Sequence, residues 1–296
     1  MNKTAREILP LLLLLCSLGE LSAQLPKTDV FLFNFFNNGV KVSLRSPVYL
    51  SGMNPSGYSN QPVFSGPNEL YLTTDMYDDT FTELIRLDLV AETYTRVTAT
   101  DSISEYSANP RAPNDMLSCI RVEKDQRTQS LYAYPLDYSN AGSRLLPDLS
   151  TIGYHHWVSD TEVALFLVTE PVSLVIADIE TGTVRKIAEN IGRCLKQDND
   201  GNLLYVHKVR ADLWYIKSYD LEEQESITLI KALPESEDFE LLPDGTLLMG
   251  SGSVLKSINP TIDENWKEVQ DLYEYGITDI SRLAVSRNKL VLVNRK

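Results

Sequence analysis

The chain has 296 residues, of which 43% are hydrophobic, and its 41 acidic and 27 basic side chains give a formal net charge of -14 at pH 7. This length and apolar content suffice for two ordinary domains or for one large all-β domain. The acidic balance repels phosphate backbones and anionic lipid headgroups. Because no run of basic residues interrupts it, we expect no nucleic-acid partner.

The N-terminal segment is typical of a secretory signal peptide. Lys3 and Arg6 precede an almost unbroken apolar run, residues 8–15, and the small-residue end Leu21-Ser22-Ala23 follows. A membrane anchor is the less favoured alternative, because the apolar run is too short to span a bilayer comfortably. We therefore predict that residues 1–23 are removed by cleavage after Ala23 and that the mature protein is periplasmic or secreted.

After this segment the chain is rich in β-strand patterns. Short runs of β-branched and aromatic residues recur, for instance residues 69–74 and 163–168, and no stretch keeps a helical period with caps at both ends. No later segment is long and apolar enough to cross a membrane. We predict an all-β protein that is not an integral membrane protein.

One sequence unit recurs along the mature chain at a spacing of about forty to fifty residues, the period of four-stranded propeller blades. Each copy contains an innermost strand, a tight polar turn and an apolar second strand. The copies of this half-unit are residues 62–72, 110–117, 156–165, 194–204, 240–248 and 283–292. Four-stranded sheets have two apolar faces, and stacking them around an axis buries both.

The last copy stops after two strands, and a hairpin at the other end of the mature chain supplies the missing half. That hairpin comprises residues 29–36, a turn at 37–39, and residues 40–44. Joining residues 278–296 to 28–50 completes one blade and removes two free sheet edges. We predict a single six-bladed β-propeller domain over residues 24–296, in which the N- and C-terminal strands share the closing blade.

Two segments carry the clearest form of the repeat: Gln61-Pro-Val-Phe-Ser65 at its start and Ile176-Ala-Asp-Ile-Glu-Thr-Gly-Thr183 at the end of its third strand. With these segments the repeat resembles that of the TolB-like, WD-repeat-like propellers. The resemblance implies a propeller used in protein interaction. Against the family pattern, we expect neither the extra N-terminal domain of TolB nor a hydrolase domain, and the sequence contains no Gly-x-Ser-x-Gly nucleophile motif.

The mature chain keeps two cysteines, Cys119 and Cys194. Lipidation at the third, Cys16, is disfavoured because three leucines precede it. An oxidising compartment would permit a disulfide, but the repeat places the two remaining cysteines on non-adjacent blades, too far apart for disulfide geometry. We expect two buried, unpaired thiols.

The cluster His155-His156-Trp157 is open to two interpretations. It opens an innermost strand, so it is a candidate ligand contact or metal site near the axis. Alternatively, one imidazole is buried and hydrogen-bonded while the indole packs between blades. We favour the structural interpretation, because the chain has only three histidines and a three-histidine metal centre would need His207 as well. No sequence motif indicates a cofactor or a metal.

Aligning the innermost strands on their turns predicts a tier of side chains around the central channel. This tier is mostly polar and contains two arginines in an acidic chain. Its members are Gln61, Asn109, His155, Arg193, Phe239 and Arg282. Two interpretations stay open, a funnel that binds anions or carboxylates and a water-filled channel without a specific ligand.

The preferred functional hypothesis is a non-enzymatic binding or scaffold protein of the bacterial periplasm or cell surface. Its partner would be an envelope or extracellular protein, or a small anionic or peptide ligand. The alternative is a glycan- or peptide-directed hydrolase or lyase with its chemistry in the axial funnel, which would need paired carboxylates or a histidine base there.

Overall fold

The computed structural model describes residues 25–39, 41–111 and 115–296. They form six four-stranded antiparallel sheets, which are the blades of a six-bladed β-propeller. The predicted all-β propeller is thereby confirmed. The predicted signal peptide and its cleavage site at Ala23 lie outside the described residues. No helix in the described part of the chain is long and apolar enough to cross a membrane.

The strands follow one another with short connections. In chain order they are β1 (Thr28–Asn37), β2 (Val42–Tyr49), β3 (Ser59–Phe64), β4 (Glu69–Thr74), β5 (Glu83–Asp88), β6 (Thr93–Arg96), β7 (Ser104–Arg111), β8 (Met116–Val122), β9 (Gln129–Pro135), β10 (Ser143–Leu145), β11 (Ile152–Trp157), β12 (Glu162–Leu167), β13 (Ser173–Asp178), β14 (Val184–Glu189), β15 (Ile191–Gln197), β16 (Leu203–Arg210), β17 (Leu213–Tyr219), β18 (Ser226–Lys231), β19 (Phe239–Leu241), β20 (Leu247–Ser251), β21 (Val254–Ile258), β22 (Lys267–Asp271), β23 (Ile280–Ser286) and β24 (Lys289–Arg295). Short 3-10 helices lie at Ser51–Met53 and Tyr273–Tyr275.

Blades 1 to 5 each use four consecutive strands, from β3–β6 in blade 1 to β19–β22 in blade 5. The sixth, closing blade combines both ends of the chain in the order β23-β24-β1-β2, with β23 innermost. Strand β1 pairs antiparallel with β24 from Thr28 opposite Arg295 to Asn34 opposite Lys289. The predicted sharing of the closing blade is therefore confirmed.

Each blade buries both of its faces, because alternate side chains of a strand point to opposite neighbours. In blade 1, Leu70 and Leu72 pack with Val291 of the closing blade. Tyr71, between them in sequence, packs with Leu117 of blade 2. This alternation explains why the apolar second strands read as nearly continuous hydrophobic runs.

Tight turns close the hairpins where the sequence has Asp-Gly pairs. Gly201 and Gly245 have φ angles of +89° and +82°, a region that favours glycine. At the first of these turns, an oxygen of the Asp198 carboxylate accepts a hydrogen bond from the backbone N–H of Asn202 at 2.8 Å. The acidic stretch at residues 198–202 is thus a hairpin turn.

The two cysteines lie where the repeat predicts them. Cys119 is on β8 of blade 2 and Cys194 is on β15 of blade 4; both are free and buried. Burial raises the pKa of the Cys194 thiol to about 12, so this thiol stays protonated at neutral pH.

Candidate functional site

The axis of the ring contains two overlapping cavities of about 430 and 290 Å³. The smaller one is lined from all six blades, and four residues line both: Gln61, Tyr154, Arg193 and Arg282. We treat them as one site, the axial cavity. The larger part is also lined by Tyr58 and Tyr106 and opens at the end where the innermost strands begin. We name this opening, which is lined by Tyr58, Tyr106 and Tyr154, the tyrosine mouth.

Two arginines and one aspartate form the electrostatic centre of the axial cavity. Arg193 donates from Nε to one carboxylate oxygen of Asp238 at 2.9 Å. Arg282 donates to the other oxygen at 2.6 Å and also to the hydroxyl of Tyr154 at 2.9 Å. The three charged side chains come from blades 4, 5 and 6, so this cluster joins three neighbouring blades at the axis.

The cluster keeps all three charges at neutral pH. Burial alone would raise the pKa of Asp238, but Arg282 and Arg193 hold it below its usual value. Burial likewise opposes the charge of Arg282, yet Asp238 holds the pKa of that guanidinium above its ordinary value. Two cations and one anion leave one net positive charge, in a chain whose formal net charge is -14.

The two arginines differ in how much of each remains available. The Arg282 side chain is 11% exposed, and its ring-stacking contact with Tyr154, 5.0 Å from guanidinium carbon to ring centroid, covers one face. The Arg193 side chain is 33% exposed and makes one further weak hydrogen bond, to the Ser281 carbonyl at 3.4 Å. Arg193 therefore offers unused N–H donors to the cavity.

The tyrosine mouth adds neutral hydrogen-bond donors to these cations. Burial raises the pKa of Tyr58 above its ordinary value, so its phenol keeps the proton. Asp238 is the one acidic side chain among the described residues that line the two cavities. Two further cations line the cavity, but each has its own carboxylate partner: Lys196 pairs with Glu240 and Arg295 pairs with Asp279. Guanidinium and phenol donors around a cluster with one net positive charge are suited to a carboxylate.

Five of the six predicted tier residues line the axial cavity. They are Gln61, Asn109, His155, Arg193 and Arg282. Gln61 has a structural task there: its side-chain oxygen accepts hydrogen bonds from Thr73 Oγ1 at 3.0 Å and from the Ser107 backbone N–H at 2.7 Å, which links blades 1 and 2. Whether the tier binds a ligand stays a prediction.

The placement of Phe239 in the tier is corrected by the structure. Phe239 is 1% exposed and packs between blades 4 and 5 with Leu204 and Leu247, while the preceding residue, Asp238, lines the cavity. Consecutive side chains of an innermost strand point in opposite directions. A shift of one residue therefore exchanges a side chain that lines the cavity for one that packs between blades.

The histidine cluster is largely structural. His155 Nε2 lies 2.7 Å from Ser118 Oγ, and Trp157 Nε1 donates to the same oxygen at 2.9 Å. Trp157 is buried against Ile120 of blade 2. Burial lowers the pKa of His155 to about 3, and burial together with Lys196 lowers that of His156 to about 4. Both imidazoles are therefore neutral at pH 7.

His156 is less buried than its neighbour and lines the axial cavity. In the described part of the chain, no group of three or more His, Cys, Asp or Glu side chains is arranged to hold a metal ion. His155 Nδ1, which is buried, has no hydrogen-bond partner among the described residues. The cluster thus offers one partly accessible neutral imidazole to the cavity.

Sequence reasoning missed the tyrosine mouth and Asp238. A signal for the tyrosines was present, because Tyr58-Ser-Asn-Gln-Pro62 and Tyr106-Ser-Ala-Asn-Pro110 are the same motif one repeat apart. Strand pairing shows why the alignment slipped: β-bulges interrupt other innermost strands, for instance between Asn60 and Val63 and between Tyr106 and Asn109, whereas β19 pairs with β20 without one.

Comparison with solved structures gives the same architecture. A TolB-like structure from Agrobacterium tumefaciens is similar with a TM-score of 0.66 and 10% identity, covering 92% of this chain and 99% of that chain. TolB from Acinetobacter baumannii gives 0.57 and 11%, covering 78% and 61%. A puromycin-hydrolyzing peptidase from Mycobacterium tuberculosis gives 0.54 and 11%, covering 80% and 42%.

No family model and no curated protein matches the chain by sequence. At identities of 10–11%, the similarity to the solved structures shows the fold and not the activity. The chain spans less than half the length of the peptidase that it resembles. The chain has the TolB-like six-bladed β-propeller fold.

Proposed function

We propose that this chain is an exported binding protein that holds a carboxylate at the tyrosine mouth of its axial cavity. The carboxylate would belong to a small organic anion or to the C-terminal end of a peptide. One observation carries the proposal: Arg193 and Arg282 both form salt bridges with Asp238 in the axial cavity, and neither forms one with another carboxylate of the described residues. The remaining positive charge matches the single negative charge of a carboxylate.

Arg193 is the residue expected to contact the ligand directly. Its guanidinium is held in place from one edge by Asp238, which reduces the side-chain entropy lost on binding. The fork of N–H donors that remains suits a planar carboxylate. Arg282 is the positioning residue, because it fixes Asp238 from the other side and orients Tyr154.

Binding is tested by a thermal-shift screen followed by calorimetry. Small carboxylates and short peptides are compared with their primary amides, which have nearly the same shape and no charge. A ligand that binds only the folded state must raise the melting temperature. We expect the acids, and not the amides, to do so. Arg193→Gln should weaken binding about tenfold or more, because a hydrogen bond to a charged group is lost.

The matched control is Arg210→Gln. Arg210 is also an arginine in a salt bridge, but its side chain is 66% exposed and lies outside the axial cavity. This variant should bind the carboxylate as the unaltered protein does. Equal binding of acids and amides, or equal weakening by both variants, would contradict the proposal.

Export is a separate part of the proposal and has its own test. It is supported by the charged start, apolar run and small-residue end of residues 1–23. Mass spectrometry of the protein recovered from the exported fraction should give Gln24 as its first residue. Recovery of the full-length chain from the cytoplasm alone would contradict export.

The alternative is a glycan- or peptide-directed hydrolase or lyase acting in the same cavity. The observation that favours this alternative is the fold similarity between this chain and a peptidase. Under this alternative, His156 would be the accessible candidate base. Turnover of glycan or peptide substrates that falls in His156→Gln, and not in His207→Gln, would support an enzyme. Ligand binding without turnover would support the binding protein.

A further inference from the structure

We infer that a second anion site, for a phosphate group, lies on the closing blade, on the face opposite the tyrosine mouth. There the β1–β2 hairpin and the β23–β24 turn line a cavity of about 630 Å³. Three cationic side chains, Lys41, Arg45 and Arg287, line it together with the exposed ring of Phe36. We call this the basic groove.

Strand geometry places these cations together. Val42 and Leu44 are buried in the blade core, so the alternate positions Lys41 and Arg45 face away from it. Arg287 belongs to the β23–β24 turn, and the carbonyl of its neighbour Asn288 accepts a hydrogen bond from the Phe35 backbone at 2.7 Å. The hairpin and the turn are thus held side by side.

The charges of the basic groove are uncompensated. All three cations are exposed, and within the described ranges none of them forms a salt bridge with a carboxylate. No acidic residue of the described chain lines this cavity. One acid comes near its edge, where Asp244 of blade 5 accepts a hydrogen bond from Asn37 at 2.9 Å. The local charge of the lining is therefore strongly positive, although the whole chain is acidic.

The amount of uncompensated charge indicates the class of ligand. In the axial cavity Asp238 cancels one of two arginines, which suits a monoanion. In the basic groove, three cations have no carboxylate partner among the described residues, which suits an oxyanion with more charge. A phosphate monoester carries about -1.5 to -2 at pH 7 and three acceptor oxygens. Arg and Lys are the usual cationic donors for it.

The groove also offers apolar surface beside the charges. The Phe36 side chain is 49% exposed, and the Arg45 guanidinium lies 5.5 Å from its ring centroid. An organic group attached to a phosphate would contact this ring. Distant acidic side chains oppose binding only weakly, because charges more than about 10 Å apart are screened at 0.1 M salt. A free phosphate ester and a phospholipid headgroup share this chemistry.

The experiment compares two double variants of the full mature chain. Lys41→Gln/Arg287→Gln removes two cations of the groove. Lys124→Gln/Arg127→Gln removes the same two charges from the exposed β8–β9 turn, outside the groove. All the substituted side chains are exposed, so we expect overlapping melting curves for both variants and the unaltered protein. Calorimetric titration with glycerol 3-phosphate measures binding of a free phosphate ester.

Saturable binding that weakens about tenfold or more in the groove variant, and not in the turn variant, is the expected result. Co-sedimentation with phosphatidylglycerol and with phosphatidylcholine vesicles distinguishes the source. Groove-dependent binding to the anionic vesicles alone would assign the site to a lipid headgroup. The absence of saturable binding to either probe, or equal weakening by both double variants, would overturn the inference.

Discussion

At the axis Asp238 lies between two guanidiniums, whereas between blades 1 and 2 Glu105 lies beside a second carboxylate, Glu83. Both clusters are buried. Burial alone would raise the pKa of Asp238, but its cationic neighbours hold the value below normal. For Glu105, burial and then the charge of Glu83 act in the same direction and raise the pKa to about 8. Two buried carboxyl groups thus have opposite protonation states at neutral pH, because their charged neighbours differ in sign.

Hydrogen bonds hold the second cluster together. Thr100 donates from its backbone N–H to Glu83 at 2.9 Å and from its hydroxyl to Glu105 at 2.8 Å. Arg96 donates to the same Glu83 oxygen at 2.8 Å, so Glu83 is the member that has a salt-bridge partner. The other Glu83 oxygen is buried without a hydrogen-bond partner among the described residues. Glu105 is therefore the member expected to keep its proton.

The two clusters make stability depend on pH in opposite directions. Asp238 has a lowered pKa, so its contribution is present above pH 3.8, the ordinary value, and is lost as the pH falls through the folded-state pKa. Glu105 has a raised pKa, so its contribution is complete below pH 4.5 and is lost progressively as the pH rises to about 8. The stabilising contribution of Asp238 therefore persists at neutral and alkaline pH, whereas that of Glu105 persists at acidic pH.

The largest effect is expected for Asp238→Asn. This change leaves the buried guanidinium of Arg282 without its counter-ion, and breaking a buried ion pair in this way costs about 3–5 kcal/mol. Urea unfolding at pH 7 measures the loss. The control is Asp279→Asn, whose partner Arg295 is 60% exposed, and we expect it to cost at most about 1 kcal/mol. Equal losses would mean that the axial cluster is no more than a surface salt bridge.

The next largest effect is expected for Glu105→Gln. The neutral side chain resembles the protonated acid, so the variant should lose the part of the pH dependence that belongs to Glu105. In the unaltered protein, that part lowers the free energy of unfolding by up to about 1.4 kcal/mol per pH unit between pH 4.5 and about 8. Urea unfolding at pH 5, 6.5 and 8 measures the slope. An unchanged slope would show that Glu105 is ionised in the folded state.

Glu83→Gln tests how much of the raised pKa of Glu105 is due to the neighbouring negative charge. It removes the negative charge next to Glu105 while leaving burial unchanged, so the pKa of Glu105 should fall toward its ordinary value. Stability should then stop decreasing at a lower pH than about 8. The partner Arg96 is 38% exposed and can be solvated. An end point that stays near pH 8 would mean that burial alone sets the pKa of Glu105.

The sequence predicted the ring and its closure because both depend on repeated, local patterns. The alternation of strand residues and the Asp-Gly turns, such as that at Gly201, can be recognised from short stretches of sequence. The closing blade could be predicted because the half-repeats at the two ends of the chain complement each other. The predicted tier was also mostly at the axis, since five of its members line the axial cavity. These features depend on residue type and spacing alone.

The detailed chemistry of the site was not predictable in the same way. Register shifts interrupt the other five innermost strands, whereas β19 pairs with β20 without one, so one common count from the turn misplaced Phe239 and overlooked Asp238. The pairing of Asp238 with arginines from two other blades is a long-range contact with no sequence signature. The like-charge pair of Glu83 and Glu105 is similarly invisible, because the two residues lie on different blades.

The smallest effect is expected for His155→Gln, which changes a buried ionisable group that has no counter-ion. At pH 7 the variant should lose about 1 kcal/mol, since the hydrogen bond to Ser118 is weakened or lost. Burial lowers the pKa of His155 from 6.5 to about 3, so the unaltered protein is destabilised as the pH falls through that range, whereas the glutamine variant is not. The difference between the two proteins should therefore shrink, or change sign, between pH 7 and pH 5 in urea unfolding. His207→Gln, at a less buried imidazole, is the control and should show a weaker pH effect. A difference that grows toward pH 5 would mean that His155 is protonated in the folded state, and the axis would then hold a further cation in addition to Arg193, Arg282 and Lys196.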